Sequence, residues 1–317
     1  MINCPSNKLN KKQRIEIIYD EFNKWISDGS MIDLIKLTGG TIPAFNSFTE
    51  KFQWMYDYSR KWDFRKLQGA GGERWLVKDQ DIYKTNFKEI QFIAKKMGLE
   101  GEPQINKKPN YLLILGGARM SNYTRCELAK KIYEKYSDNI KSIIALSGLR
   151  KLDDIEMDYI KKYAPESRTE FDAISCALES IFGLNHNLKN DITNNHSNLN
   201  LAWVKRKYVE HINNISFYSL AAPSSDGNRR ANSFDTFEFF LDNFNVENNE
   251  NILAITSSIY VPFQTVKFLQ LALEKNLNVE FTGGAAGHFN NASNYCQEIK
   301  ATFDAMKNFM DLYPLYK

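Results

Sequence analysis

The sequence predicts an α/β protein built on a mainly parallel sheet. Three observations predict it: the hydrophobic period changes at Pro109, five short apolar runs follow, and helical patterns lie between them. Short apolar runs without alternation are what strands covered on both faces need, and parallel neighbours need the long crossovers that intervening helices supply.

Taken in order, residues 11–27, about 44–62 and about 85–98 place apolar side chains three and four apart, as amphipathic helices do. Residues 1–108 are therefore expected to form a helical cap, and residues 109–317 the α/β domain. The first strand is Tyr111–Leu115, followed by a helix near 121–136. The second is Ile143–Leu146, followed by helices near 153–163 and 169–182. A third run, Ile215–Leu220, precedes a helix near 233–244. The fourth, Ile252–Ile255, precedes a helix from about Pro262 to Lys275. The fifth is Leu277–Phe281, and an amphipathic helix over about 292–312 ends the pattern. Five strands and a flanking helical layer are the expectation. The Asn-dense segment between Leu184 and Asn200 lacks apolar spacing and is expected to be a loop.

Composition narrows the function classes. With 41 Lys+Arg against 38 Asp+Glu the net charge is only +3, so no nucleic-acid-binding profile is present. No apolar run approaches the roughly 18–20 residues that span a bilayer. The polar, basic start, MINCPSNKLNKKQRIE, does not read as a secretory signal. Four scattered cysteines without C-x-x-C fit a reducing compartment, so a cytoplasmic protein without membrane insertion is expected.

In open parallel sheets ligands bind outside the carboxyl ends of the strands, where loops and helix N-termini converge. The predicted strand ends lead into Gly116-Gly117-Ala118-Arg119, Ser147-Gly148-Leu149-Arg150, a stretch with Arg229-Arg230-Ala231-Asn232-Ser233, Thr256-Ser257 with Tyr260, and Gly283-Gly284 with His288. Glycines allow close backbone approach, and Arg offers a planar fork for phosphate or carboxylate. An anionic, phosphorylated or nucleotide-like small molecule is the expected partner. The standard dinucleotide and P-loop motifs are both absent. A tight strand-to-helix turn accounts for Gly116-Gly117 equally well, and Arg119 and Arg125 read either as ligand forks or as charges at a helix start. Glu170, with Asp172, and Asp235 open helices, either as first-turn acids that favour the N-terminus or as a general base or divalent-cation ligands. The histidines have no zinc spacing, and Cys126 and Cys176 lie among apolar neighbours. The Trp62-Asp63-Phe64-Arg65 and Gly71-Gly72-Glu73-Arg74-Trp75 stretches read as packing of the cap, with Arg65, Glu73 and Arg74 as pocket contributors in the other reading.

The order of these segments resembles the DUF218 (YdcF/SanA/ElyC-like) family of bacterial proteins. The likeness rests on Leu115-Gly116-Gly117, Leu146-Ser147-Gly148, Thr169-Glu170, Asn232-Ser233-Phe234-Asp235-Thr236 and Ile255-Thr256-Ser257, over residues 110–285. Thr236, Tyr260 and Phe263 stand where that family has Asn, His and Arg. The resemblance implies a Rossmann-like fold and a nucleotide-type ligand such as S-adenosylmethionine. With the residue reading it yields one expectation, an enzyme of group transfer or hydrolysis. In it Gly116, Gly117 and Ser147 line an anion site, Arg119, Arg229 and Arg230 neutralise it, and Glu170 or Asp235 acts as base. Gly148, Asn232, Ser233, Thr256, Ser257 and Tyr260 complete that edge. A non-catalytic sensor on the same fold and an interaction protein using aromatic residues 45–64 are the alternatives.

Overall fold

A computed structural model describes residues 2–69, 77–117, 120–212, 215–284 and 291–315. Six helices come first: α1 (Lys11–Ser27), α2 (Gly29–Leu37), α3 (Phe48–Ser59), α4 (Phe64–Leu67), α5 (Asp81–Thr85) and α6 (Phe87–Lys96). They are followed by β1 (Tyr111–Leu115), α7 (Ser121–Tyr136), β2 (Ser142–Ser147), α8 (Asp154–Ile160) and α9 (Glu170–Phe182). Next come β3 (Lys189–Thr193), β4 (Val204–Ile212), β5 (Ile215–Ala221) and α10 (Ser233–Asn243). The chain closes with β6 (Asn251–Ser257), α11 (Val261–Glu274), β7 (Asn278–Gly284) and α12 (Ala292–Leu312). Two compact units result: Met1–Pro103 with Ser258–Asn278 and Ala285–Lys317, and Gln104–Ser257 with Val279–Gly284.

The first unit is helical. Asn10 caps α1 in a reciprocal box with Gln13, and the apolar stripe of α1 turns Ile18, Phe22, Trp25 and Ile26 inward. There Phe22 meets Phe309 edge-on at 5.6 Å between ring centroids, and Phe303 of α12 contacts both Trp25 and Phe52. Trp62 and Phe64 are buried in the same core, as packing of the helical layer requires. Residues 70–76, with Glu73 and Arg74, lie outside the described residues.

The second unit holds a mixed sheet of seven strands, in the order β3-β4-β5-β2-β1-β6-β7, flanked by helices. The five-stranded expectation is thereby corrected. Each of the five expected runs is a strand, and β1 pairs in parallel with β2 and β6, as does β2 with β5. Every residue of β1 is buried because both faces are covered. Leu112 and Ile114 pack with Cys126 and Ala129 of α7 and Ile174 of α9, whereas Tyr111, of opposite parity, meets the Phe240 ring of α10 at 5.8 Å.

The two additional strands, β3 and β4, form an antiparallel hairpin beside β5; β3 lies inside the segment expected to be a loop, and β4 follows it. Four of the five β3 residues are exposed, so no apolar run marks the strand in the sequence. Asn residues build the hairpin's end. Asn194 donates to Leu201 O and accepts from Trp203 N, and Asn195 takes a left-handed φ of 50° that Asn tolerates better than most residues. Asn198 and Asn200 both donate to Gly227 O, fastening this end to the loop between β5 and α10. Among the described residues no helix is long and apolar enough to cross a membrane.

Candidate functional site

Strand order marks a candidate centre for the site. From β1 the chain proceeds through β2 to β5 on one side, then returns to place β6 and β7 on the other. β1 and β6 are neighbours whose onward connections run to opposite sides of the sheet, and such a switch point at the carboxyl ends of the strands is where open α/β sheets hold ligands. Gly116 and Gly117 stand on one side of it, Thr256 and Ser257 on the other. The 16-residue helix α7 starts there with Met120 at its N-cap, which gives no side-chain cap, and with no acidic residue in the first turn. Arg119 lies outside the described residues.

The glycine pair has a steric cause. A Cβ on Gly116 would fall 2.8 Å from Leu146 O, and one on Gly117 would fall 2.8 Å from Nη1 of Arg125. Gly117 N donates to Asn122 Oδ1 at 2.8 Å, which shapes the turn. Arg125 is buried, and its guanidinium donates to Leu115 O, to Gly116 O and, at 3.1 Å, to Ser257 Oγ. It ties the end of β1 to the end of β6 and is no surface fork.

One strand over, at the end of β2, Ser147 and Gly148 are buried and Arg150 takes over. Its Nη1 and Nη2 donate to both carboxylate oxygens of Glu156 at 2.8 and 2.7 Å, and its Nε donates to Glu170 Oε1 at 2.8 Å. Glu156 is fully buried, and Glu170 remains 22% exposed. The two carboxylates hold the Arg150 pKa above its usual value against the burial that lowers it. Capping of α9 is done by Thr169 and Asp172 in a reciprocal box, so Glu170 is not needed as a cap. Glu170 Oε1 carries the described bonds to Arg150, and the side chain remains partly exposed.

Two strands over, Asn232 caps α10 and Asp235 closes the box by accepting from Asn232 N at 2.7 Å. Asp235 also accepts from Ser225 N and, at 2.5 and 3.1 Å, from the two terminal nitrogens of Arg229. Burial raises its pKa, but the bonds from Arg229, Asn232 and Ser225 prevail and lower it from 3.8 to about 2. Arg229, expected to neutralise a ligand, is thus engaged by Asp235, while Arg230 is exposed on the same loop and Ser233 begins α10. Tyr260 is buried in the core of the helical unit, with Phe263 packed against that core.

Asp235 has a consequence for stability. Its folded pKa lies below the unfolded value, so the stabilisation is complete above about pH 4 and is lost as pH falls through about 2. Asp235→Asn is expected to cost about 1–2 kcal/mol at neutral pH, a figure discounted for the solvent-exposed Arg229. The difference from the parent should shrink across that acid window. Urea denaturation of both proteins from pH 7 to pH 2 measures it, and a pH-independent difference would remove the ion pair as its cause.

The thiols are not nucleophiles in waiting, since burial pushes both Cys126 and Cys176 up in pKa. Among the described residues no group of three or more His, Cys, Asp or Glu side chains is placed to hold a metal ion. Arg150 and Glu156 were absent from the expected site. A cation two residues after a strand-end Ser-Gly was their only trace in the sequence, because Glu156 looks like an ordinary first-turn acid until its burial is known.

Comparison with known proteins corrects the family resemblance. Residues 10–98 match the Rv3785 N-terminal domain family. The chain is similar to the uncharacterized protein Rv3785 of Mycobacterium tuberculosis (strain ATCC 25618 / H37Rv), 23% identical over 338 residues, covering 97% of this chain and 94% of the relative. The same figures hold for the uncharacterized protein Mb3814 of Mycobacterium bovis. No solved structure matches. The match lies with the Rv3785 proteins and not with DUF218, so that resemblance is overturned. Its physical basis was generic: Gly116 and Gly117 answer to local crowding, and Asn232 and Asp235 cap a helix, as any sheet edge of this kind would require.

Proposed function

We propose that the chain is a cytoplasmic enzyme that binds a phosphorylated or nucleotide-like small molecule at the carboxyl edge of a Rossmann-like sheet and acts on it by group transfer or hydrolysis. The observation that carries the reading is the divergence of strand connections between β1 and β6, with α7 starting at that switch point. Its N-terminal N–H groups and positive dipole end suit an anion. Glu170 is the base in this reading, because Asp235 is committed to Arg229 and to capping. Four free cysteines agree with a reducing compartment.

A second reading, a non-catalytic binding protein, is favoured by a specific observation: both candidate carboxylates are paired with arginines. The shared test is thermal unfolding with inorganic phosphate, pyrophosphate and nucleoside mono-, di- and triphosphates. Ligand at about a hundredfold its Kd adds about 2.7 kcal/mol, so a rise of several degrees is expected with at least one compound. No rise with any of them would sink the anion site; a rise without turnover would select the second reading.

A further inference from the structure

The strand order leaves β3 at one edge of the sheet, with β4 on its inner side. The ladder fixes which backbone groups face outward. Val209 N donates to Leu188 O at 2.9 Å, so Leu188 and Val209 form a hydrogen-bonded pair. Such pairs alternate along an antiparallel ladder, so Asn190 and Ile192 turn N–H and C=O toward β4, while Lys189, Asp191 and Thr193 turn theirs outward. Side chains alternate with the same period. Asn190 and Ile192 share one face, continued by Leu188, and Lys189 and Asp191 share the other. That first face, shared with Lys205 and Lys207 of β4, leaves three apolar residues unusually open: Leu188 is 43%, Val209 50% and Ile192 60% exposed.

We propose that β3 pairs antiparallel with β3 of a second copy of this chain, about a two-fold axis at Asn190, joining two seven-stranded sheets into one. Charge and shape select this register. Only outward-facing residues can exchange hydrogen bonds, so a two-fold pairing centred on Lys189 or Asp191 sets like charges opposite each other. Centring on Asn190 sets Lys189 opposite Asp191 of the second copy, twice, and Leu188 opposite Ile192, also twice. The segment Leu188-Lys189-Asn190-Asp191-Ile192 is therefore its own complement in antiparallel pairing. An isologous contact of this kind closes on itself, which satisfies both exposed edges without open-ended growth. Asp191 keeps its bonds to Arg206 on β4 and is still about one-third exposed, so it can take a second cation.

The test is sedimentation velocity of the full chain over a wide concentration range, with a site-specific crosslink. Residues at a non-hydrogen-bonded position have Cα atoms about 4.5 Å apart, within disulfide span. Asn190→Cys should thus give a covalent dimer on mild oxidation. Lys207→Cys, on the strand behind and paired to Asn190, should not. Lys189→Asp sets Asp opposite Asp at both pairs and should weaken the dimer about tenfold or more. The Lys189 side-chain bonds go to His186, so the protomer should stay folded. A chain that stays monomeric at high concentration overturns the proposal. So does a dimer in which Asn190→Cys crosslinks no better than Lys207→Cys.

Discussion

Arg150→Met should lower the stability of the chain by about 3–5 kcal/mol, the usual cost of leaving one member of a buried ion pair without its partner. Glu156 decides the size. It is fully buried, and Arg150 neutralises it through two bonds of 2.7 and 2.8 Å, one to each carboxylate oxygen. The methionine fills much of the volume but leaves the carboxylate without its cation. Adding Glu156→Leu should recover most of the loss, because replacing a whole buried pair by apolar groups is often neutral. Chemical denaturation of the parent, the single and the double variants gives the coupling directly. A single variant within about 0.5 kcal/mol of the parent would show that the pair does not hold the loop after β2.

Glu170→Gln is expected to leave stability within about 1 kcal/mol of the parent, because its pair with Arg150 is partly exposed and Arg150 stays bound to Glu156. Under the proposed function, turnover of any substrate found in the ligand screen should fall on the order of 10²–10⁴-fold, since glutamine accepts no proton. Asp235→Asn serves as contrast, with a measurable loss of stability and turnover largely retained. Turnover unchanged in Glu170→Gln would withdraw the residue from the chemistry. Ligand affinity unchanged in a protein with no turnover at all would favour the binding-protein reading.

Much of the architecture was written in local pattern. The bounds of α1, α7 and α12 coincide with the predicted spans; on α1 and α12 apolar spacing and a capping Asn agree, as with Asn10 and Gln13 on α1, while α7 starts without a side-chain cap. The five apolar runs became strands, and in β1, where every residue is buried, both faces are covered, so no alternation is needed to recognise it. The misses have a common cause. Helix α2 is only nine residues long, and β3 is exposed, so neither leaves an apolar signature of useful length.

The sequence by itself determined the α/β class, the helical first third and the edge of the sheet on which small and cationic residues gather. Tertiary structure alone decided which of those residues do what. Whether Arg125 is a fork or a pin depends on its burial beside Leu115 O and Ser257, ten and 132 residues away. How Glu170 and Asp235 are paired depends on which arginine reaches each, and from how many sides. Helical and strand periods are set by neighbours within a few residues and so are legible in the chain. Ion pairs and burial are set by contacts between distant segments, and those exist only once the sheet has formed.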